Sequence, residues 1–215
     1  EIYKEVNALP QVKKAFVGSG VRYDLALAPS GSAKTDAANR RYVEELIANH
    51  VSGRLKVAPE HTEEAVLALM RKPTFDLFYK FREIFDSVNR RNGLRQQLIP
   101  YFISSHPGCR ETDMAELAAK TRRLDMHLEQ VQDFTPTPMT LSTEIYYTGI
   151  HPYTGRKVFC ATDPRAKEAQ RAFFFWYDPA RRPAIAASLR RMHREDLIGK
   201  ILPDGGVRKN SARRP

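Results

Sequence analysis

Cysteine, tryptophan and long apolar runs are all scarce in this sequence. Two cysteines occur in 215 residues, Cys109 and Cys160. Two thiols exclude a disulfide-stapled framework, and alone they cannot complete a four-thiolate metal site. Such usage fits a reducing compartment, so a cytoplasmic setting is the expectation. No stretch approaches the roughly eighteen uninterrupted apolar residues of a membrane-spanning helix, so no membrane partner is expected. The opening EIYKEVNALP lacks the basic start and apolar core of a signal peptide. It also lacks an initiating Met and passes at once into helix-like sequence, so the expectation is a portion of a longer protein.

The chain is 42% hydrophobic and 28% charged, enough apolar material for a real core and too much for wholesale disorder. The formal charge of +10 is uneven. Residues 181–215 hold ten Lys or Arg against three acids, so most of the excess lies at the C-terminal end. A basic end of this kind is either a solvated, poorly ordered tail or a surface for phosphates. Residues 203–215 are read as a basic flexible tail.

Apolar periodicity organises the rest. Val12–Val17 is a strand candidate that ends in Gly18-Ser19-Gly20 and continues into Val21–Leu25. Asp36–Asn49 places Tyr42, Val43, Leu46 and Ile47 on one helical face. Leu55–Ala58 reads as a second strand, followed by a helix opened by Thr62, Glu63 and Glu64 and ended before Pro73. Phe75–Asn92 is a long amphipathic helix stopped by Gly93. Leu98–Ser104 has the apolar density of a strand buried on both faces, Glu111–Asp125 is helical, and Val131–Phe134 is the fourth strand. Four strands alternating with helices predict β/α units and a parallel sheet. Thereafter the pattern predicts helices over 140–147, 167–175 and 183–192, a helical extension spanning 139–202 beside an α/β body of residues 1–138. Its run Phe173-Phe174-Phe175-Trp176-Tyr177 demands burial.

In parallel β/α architectures, ligands meet the loops that leave the C-terminal ends of strands. Those loops here carry Gly18-Ser19-Gly20 and Arg22, then Glu60 and His61, then Ser104-Ser105-His106-Pro107-Gly108, then Thr135–Pro138. Polar residues at four successive strand ends point to a shared ligand pocket. Taken singly they stay open. The GSG turn is too short for a dinucleotide fingerprint. Glu60 either complements a helix dipole or accepts ribose hydroxyls. His61 and His106 have no third metal ligand at a recognisable spacing, and Cys109 beside a turn glycine reads as an inert thiol.

Four segments, GSGVRYDL (18–25), LKVAPEHTEEAVLALMRKP (55–73), YFISSHPGC (101–109) and QVQDFTPTPMTLSTEIYYTGIHPYTG (130–155), together resemble the radical SAM superfamily. The resemblance is closest to its YgiQ-type group, UPF0313, and covers roughly residues 1–160. It implies the C-terminal part of a partial (β/α) barrel with a helical C-terminal extension. It also implies a [4Fe-4S] cluster on a Cys-x3-Cys-x2-Cys loop, and S-adenosylmethionine cleaved to a 5′-deoxyadenosyl radical. By position, Glu60 matches the contact to the SAM ribose and Arg71 the contact to its carboxylate. Ser104, Ser105 and His106 match the strand end near the adenosyl group, and Phe134 to Pro136 the strand edge near adenine. Ser19, Arg22 and His61 face the same mouth toward substrate or SAM. The three-cysteine segment has no counterpart in this chain, so no metal ligands, bound cofactor or activity are expected of it alone.

Two further readings stand beside this one. The basic C-terminus suits a non-catalytic nucleic-acid-binding module, with RNA as the partner, and the strand ends suit a degenerate scaffold for adenosyl ligands. An incomplete barrel also exposes strand edges, through which self-association is expected.

Overall fold

The computed structural model describes residues 2–202; the basic tail anticipated at 203–215 lies outside them. The element order begins with helices α1 (Ile2–Asn7), α2 (Tyr23–Leu27) and α3 (Ala33–Asn49), then strand β1 (Arg54–Glu60), α4 (Glu64–Leu69) and α5 (Asp76–Asn92). Strand β2 (Gln97–Ser104), α6 (Glu111–Arg123), β3 (Gln130–Asp133), α7 (Leu141–Thr148), α8 (Pro164–Ala172), α9 (Arg182–Arg191) and α10 (Ile198–Ile201) follow. The protein is mixed α/β, with a small open parallel sheet in the order β1-β2-β3. Among the described residues no helix is long and apolar enough to cross a membrane.

The described chain divides into two compact units. One comprises the residues up to Glu60 together with Pro73–Phe102; the other comprises His61–Lys72 and the chain from Ile103 onward. In the first, β1 and β2 pair in parallel from Arg54↔Gln97 to Val57↔Pro100, and the register then shifts before Glu60↔Phe102. Phe78, Phe81, Ile84, Phe85 and Val88 form the buried stripe of α5, at the spacing that puts them on one helical face. Asn89, also buried, receives the Gln96 amide on its Oδ1 at 3.0 Å, and Gln96 Nε2 donates to the Ile47 carbonyl at 2.9 Å. These bonds tie the loop before β2 to α3 and α5.

The strand expected over Val12–Val17 does not form. Its backbone bonds are not those of a strand: the Val12 amide bonds back to Leu9, the Ala15 amide to Asn7 Oδ1 and the Val17 amide to the His50 carbonyl, and further on Val21 bonds to Lys56, with an isolated parallel bridge between Val21 and Val57. The next residues turn into α2 because the Tyr23 ring packs 5.2 Å from Phe81 and 6.1 Å from Phe78, a distant contact that overrides strand propensity. Among the described residues three strands therefore form where four were expected.

In the second unit, Phe173, Phe174 and Trp176 are buried, as their composition demanded. They lie in and beside a 3₁₀ turn, Phe173–Phe175, that packs with α8 against α6. Helix α8 starts three residues earlier than expected, because Asp163 caps the Ala166 amide and Pro164 opens the helix.

Gly93 ends α5 in left-handed backbone at φ 62° with open space where a Cβ would stand. Gly93→Ala should therefore cost about 1 kcal/mol in chemical denaturation from backbone strain alone, and Gly93→Asn less. Equal stability of all three proteins would refute this account of the helix stop.

Candidate functional site

The sequence-selected residues fall in both units, and each group has its own chemistry. In the first unit Glu60 closes β1 with φ 67°, a left-handed conformation that non-glycine residues rarely adopt. Its charge acts on three neighbours, Arg22, Tyr23 and Tyr101. Burial holds the Tyr23 and Tyr101 hydroxyls above their usual pKa, and the Glu60 charge adds to the effect. Both tyrosines thus stay protonated. Arg22 grips Asp24 with two bonds, Nε to Oδ1 at 2.8 Å and Nη2 to Oδ2 at 2.7 Å, while more than half its side chain stays exposed. Ser19 is exposed on its turn.

The second unit gathers the rest. Strand β2 ends at Ser104, and the next residue, Ser105, turns left-handed at φ 59°. Ser104, Ser105 and His106 are all buried. The Ser104 hydroxyl donates to Asp133 Oδ1 at 2.5 Å, and its carbonyl accepts the Phe134 amide at 2.8 Å. Arg171 Nη1 lies 3.2 Å from the other Asp133 oxygen. The Ser105 amide donates to Gln170 Oε1 at 2.8 Å, whereas its hydroxyl has no hydrogen-bond partner among the described residues. His106 sets Nδ1 2.9 Å from the Pro107 carbonyl and Nε2 2.8 Å from the Ser142 hydroxyl. A carbonyl only accepts, so Nδ1 carries the proton and Nε2 accepts. The His106 ring meets Phe134 edge-on at 5.0 Å, and Phe134 packs 5.5 Å from Tyr146.

Beneath this turn lies a thiol–imidazole pair. His61 Nδ1 accepts the Glu63 amide at 3.1 Å, which leaves the proton on Nε2, 3.5 Å from Cys109 Sγ. The thiol in turn donates to Gln170 Oε1 at 3.3 Å. Burial pushes His61 down to about 3, helped by repulsion from His106 and Lys120, and pushes the Cys109 thiol far up. Thiol and imidazole are both neutral, so the pair is not an activated nucleophile. His61 has both ring nitrogens engaged within the protein. Arg71 is exposed, with its guanidinium 5.7 Å above the Tyr153 ring, and Pro136 is half-buried.

The thiols do not fit an iron–sulfur cluster. Cys109 is fully buried between His61 and Gln170, and Cys160 Sγ faces the carbonyls of Ile145 and Val158. The turn after β2 offers an unsatisfied buried hydroxyl and an aromatic edge, groups that suit a ligand with a polar group joined to a flat ring. Sequence reasoning missed Asp133, Ser142, Gln170 and Arg171. For Gln170 a signal existed, since it stands four residues after Ala166 and three before Phe173, on the buried side of α8.

Two measurements check this electrostatic picture. His61 and His106, the latter held down to about 4 by burial, have folded pKa values below the ordinary imidazole value. Their contribution is full above about pH 6.5 and is lost on acidification, at about 1.4 kcal/mol per pH unit for each. His106→Gln should roughly halve that slope in urea unfolding between pH 6 and about 4.5; an unchanged slope would refute the assignment. In thiol labelling of the native protein, Cys160 should react and Cys109 only after unfolding.

Comparison with known proteins follows this geometry. Residues 129–202 match the family described as Domain of unknown function (DUF3362). The chain is 63% identical to a UPF0313 protein of Bacteroides thetaiotaomicron over 201 residues, 94% of this chain and 32% of that protein. It is 51% identical to a UPF0313 protein of Porphyromonas gingivalis, over 100% of this chain and 34% of that one. To the UPF0313 protein YgiQ of Escherichia coli K12 it is 39% identical, over 92% and 26%. The chain spans about a quarter to a third of the length of the curated relatives it matches. The chain is thus similar over nearly all of its length to one portion of UPF0313 proteins, YgiQ among them, and over residues 129–202 to DUF3362.

Proposed function

We propose that the chain is the C-terminal portion of a radical SAM enzyme, and that the turn after β2 holds the adenosyl end of S-adenosylmethionine. In this reading the partial (β/α) barrel and the cluster-binding cysteines are completed by regions of the relatives that this chain does not span. The observation that carries it is Ser105, a buried hydroxyl without a partner among the described residues, held in left-handed backbone at a strand end. A buried unsatisfied hydroxyl costs stability, on the order of 1–3 kcal/mol, and such costs persist where a ligand repays them.

SAM, when bound and reduced, supplies the means of abstracting hydrogen from an unreactive carbon. What this chain's residues contribute is binding, orientation and exclusion of water. Ser105 offers one donor and one acceptor to the adenosyl group. Phe134 and the neutral His106 ring present an apolar edge suited to adenine, Pro136 is assigned beside them by the resemblance, and neutrality of His106 avoids repulsion from a sulfonium ligand. Arg71, whose guanidinium stays exposed, meets a carboxylate, a role that follows the resemblance.

The test is calorimetric titration of SAM into the full-length protein. Ser105→Ala should weaken binding about tenfold while leaving the melting temperature unchanged or raised, since an unpaired buried hydroxyl has been removed. Arg71→Ala should also weaken binding with the fold retained. Parent-level affinity in Ser105→Ala would sink the reading of the turn; parent-level affinity in Arg71→Ala would remove that residue from the site.

A further inference from the structure

The turn from Ser104 to Cys109 is held from outside by residues of the 129–202 segment. At its centre is one carboxamide. Gln170 is 1% exposed on α8. Its Oε1 accepts from the Ser105 amide at 2.8 Å and from the Cys109 thiol at 3.3 Å, while its Nε2 donates to the Cys109 carbonyl at 2.9 Å. A planar group with a donor on one arm and an acceptor on the other is needed to reach both ends of the turn at once. A carboxylate lacks the donor and an ammonium lacks the acceptor. A leucine would leave the Ser105 amide and the Cys109 carbonyl bare in the interior.

Other residues of the same segment complete the grip. Asp133, itself paired to Arg171, accepts from the Ser104 hydroxyl, and the Ser142 hydroxyl donates to His106 Nε2. The Phe159 carbonyl receives the Gly108 amide at 2.7 Å. Gly108 has φ +87°, and a Cβ there would lie 2.2 Å from the Leu69 side chain, so the turn also has little freedom to repack.

We infer that Gln170 is a positioning residue for the ligand-binding turn, and that the DUF3362 segment supports the site by fixing Ser105 in its left-handed, buried conformation. The ligand half of this inference rests on the reading of Ser105 given above. Gln170 touches no ligand in it; it acts through Ser105 and Cys109.

The experiment uses full-length protein carrying Gln170→Leu, with Ile185→Ala as a control that opens a cavity in the same unit on α9, which supplies none of the bonds to the turn named above. Two quantities are read at a temperature where both variants are folded: amide hydrogen exchange over residues 105–109, and the Kd for SAM. The expected result is exchange at least about tenfold faster and SAM binding about tenfold weaker in Gln170→Leu, with neither changed in Ile185→Ala. Unchanged exchange in Gln170→Leu overturns the inference whatever happens to SAM. Faster exchange with parent-level SAM affinity, in a protein where Ser105→Ala does weaken binding, also overturns it. If the parent fails to bind SAM, the reading of the site fails, and exchange alone decides whether Gln170 holds the turn. Should the leucine variant not fold, Gln170→Met, unbranched and closer in shape, takes its place with the same outcomes.

Discussion

A strand that ends inside a folded body leaves amides and carbonyls that cannot turn to water, and β2 ends in that way. Ser104, Ser105, His106, Pro107 and Cys109 are all buried; two bonds are made inside the turn, His106 Nδ1 to the Pro107 carbonyl and the Cys109 amide to the His106 carbonyl, and the other polar groups need partners from elsewhere in the protein. The chain meets this need late in sequence. Phe134 supplies an amide, Asp133 a carboxylate, Phe159 a carbonyl and Gln170 a carboxamide. Helix α8 must lie where Gln170 can reach the turn, and the aromatic 3₁₀ turn that follows then packs on α6. The arrangement of the second unit follows from closing one strand end. The Ser105 hydroxyl, left open, is the exception that gives the site its chemistry.

The same burial decides what that chemistry can be. A thiol 3.5 Å from an imidazole has the composition of a nucleophile pair. In water the proton could pass from sulfur to nitrogen; here both charged forms would be stripped of solvent, and the neutral forms win. The observed bonds agree, with Glu63 donating to His61 Nδ1 and the thiol directed to Gln170. His106 is neutral by the same cause. The turn therefore presents neutral donors, acceptors and rings, a surface for binding and orienting a ligand rather than for attacking one. Charge stands around it, on the exposed Arg71, on the partly buried Asp133–Arg171 and Lys120–Glu63 pairs and on Asp113.

How far the sequence could be read follows from the range of the forces involved. Helices α3, α5 and α6 were legible because their buried faces repeat along the chain, and Gly93 marked the end of α5. Strands β1 and β2 were legible from apolar density. Val12–Val17 misled, because its apolar residues are at most half-buried and Tyr23 is drawn into helix by Phe78 and Phe81, more than fifty residues on. In the site, Ser104, Ser105 and His106 stood out as polar residues just past an apolar strand. Gln170 did not, since its meaning depends on Ser105, 65 residues away. A polar residue on a helix's buried face is visible in sequence; the partner that justifies it is not.

Backbone strain separates the structural residues from the functional candidates. Among the described residues, six that are not glycine have left-handed backbone: Glu60, Arg71, Ser105, Asp125, Met139 and His193. Three of these have an ordinary cause. Arg71, Asp125 and His193 each follow the last turn of a helix, and the amide after each bonds back across that turn: Lys72 to Leu67, Met126 to Thr121, Arg194 to Leu189. Met139 lies in an exposed loop just before α7. That leaves Glu60 and Ser105, which stand at or just past the C-terminal ends of β1 and β2, where no helix stop asks for the conformation. Glycine would relieve a strain of roughly 1 kcal/mol at each position, yet a carboxylate and a hydroxyl stand there instead. Their side chains are what the strain retains, and strand ends are where parallel β/α proteins meet their ligands.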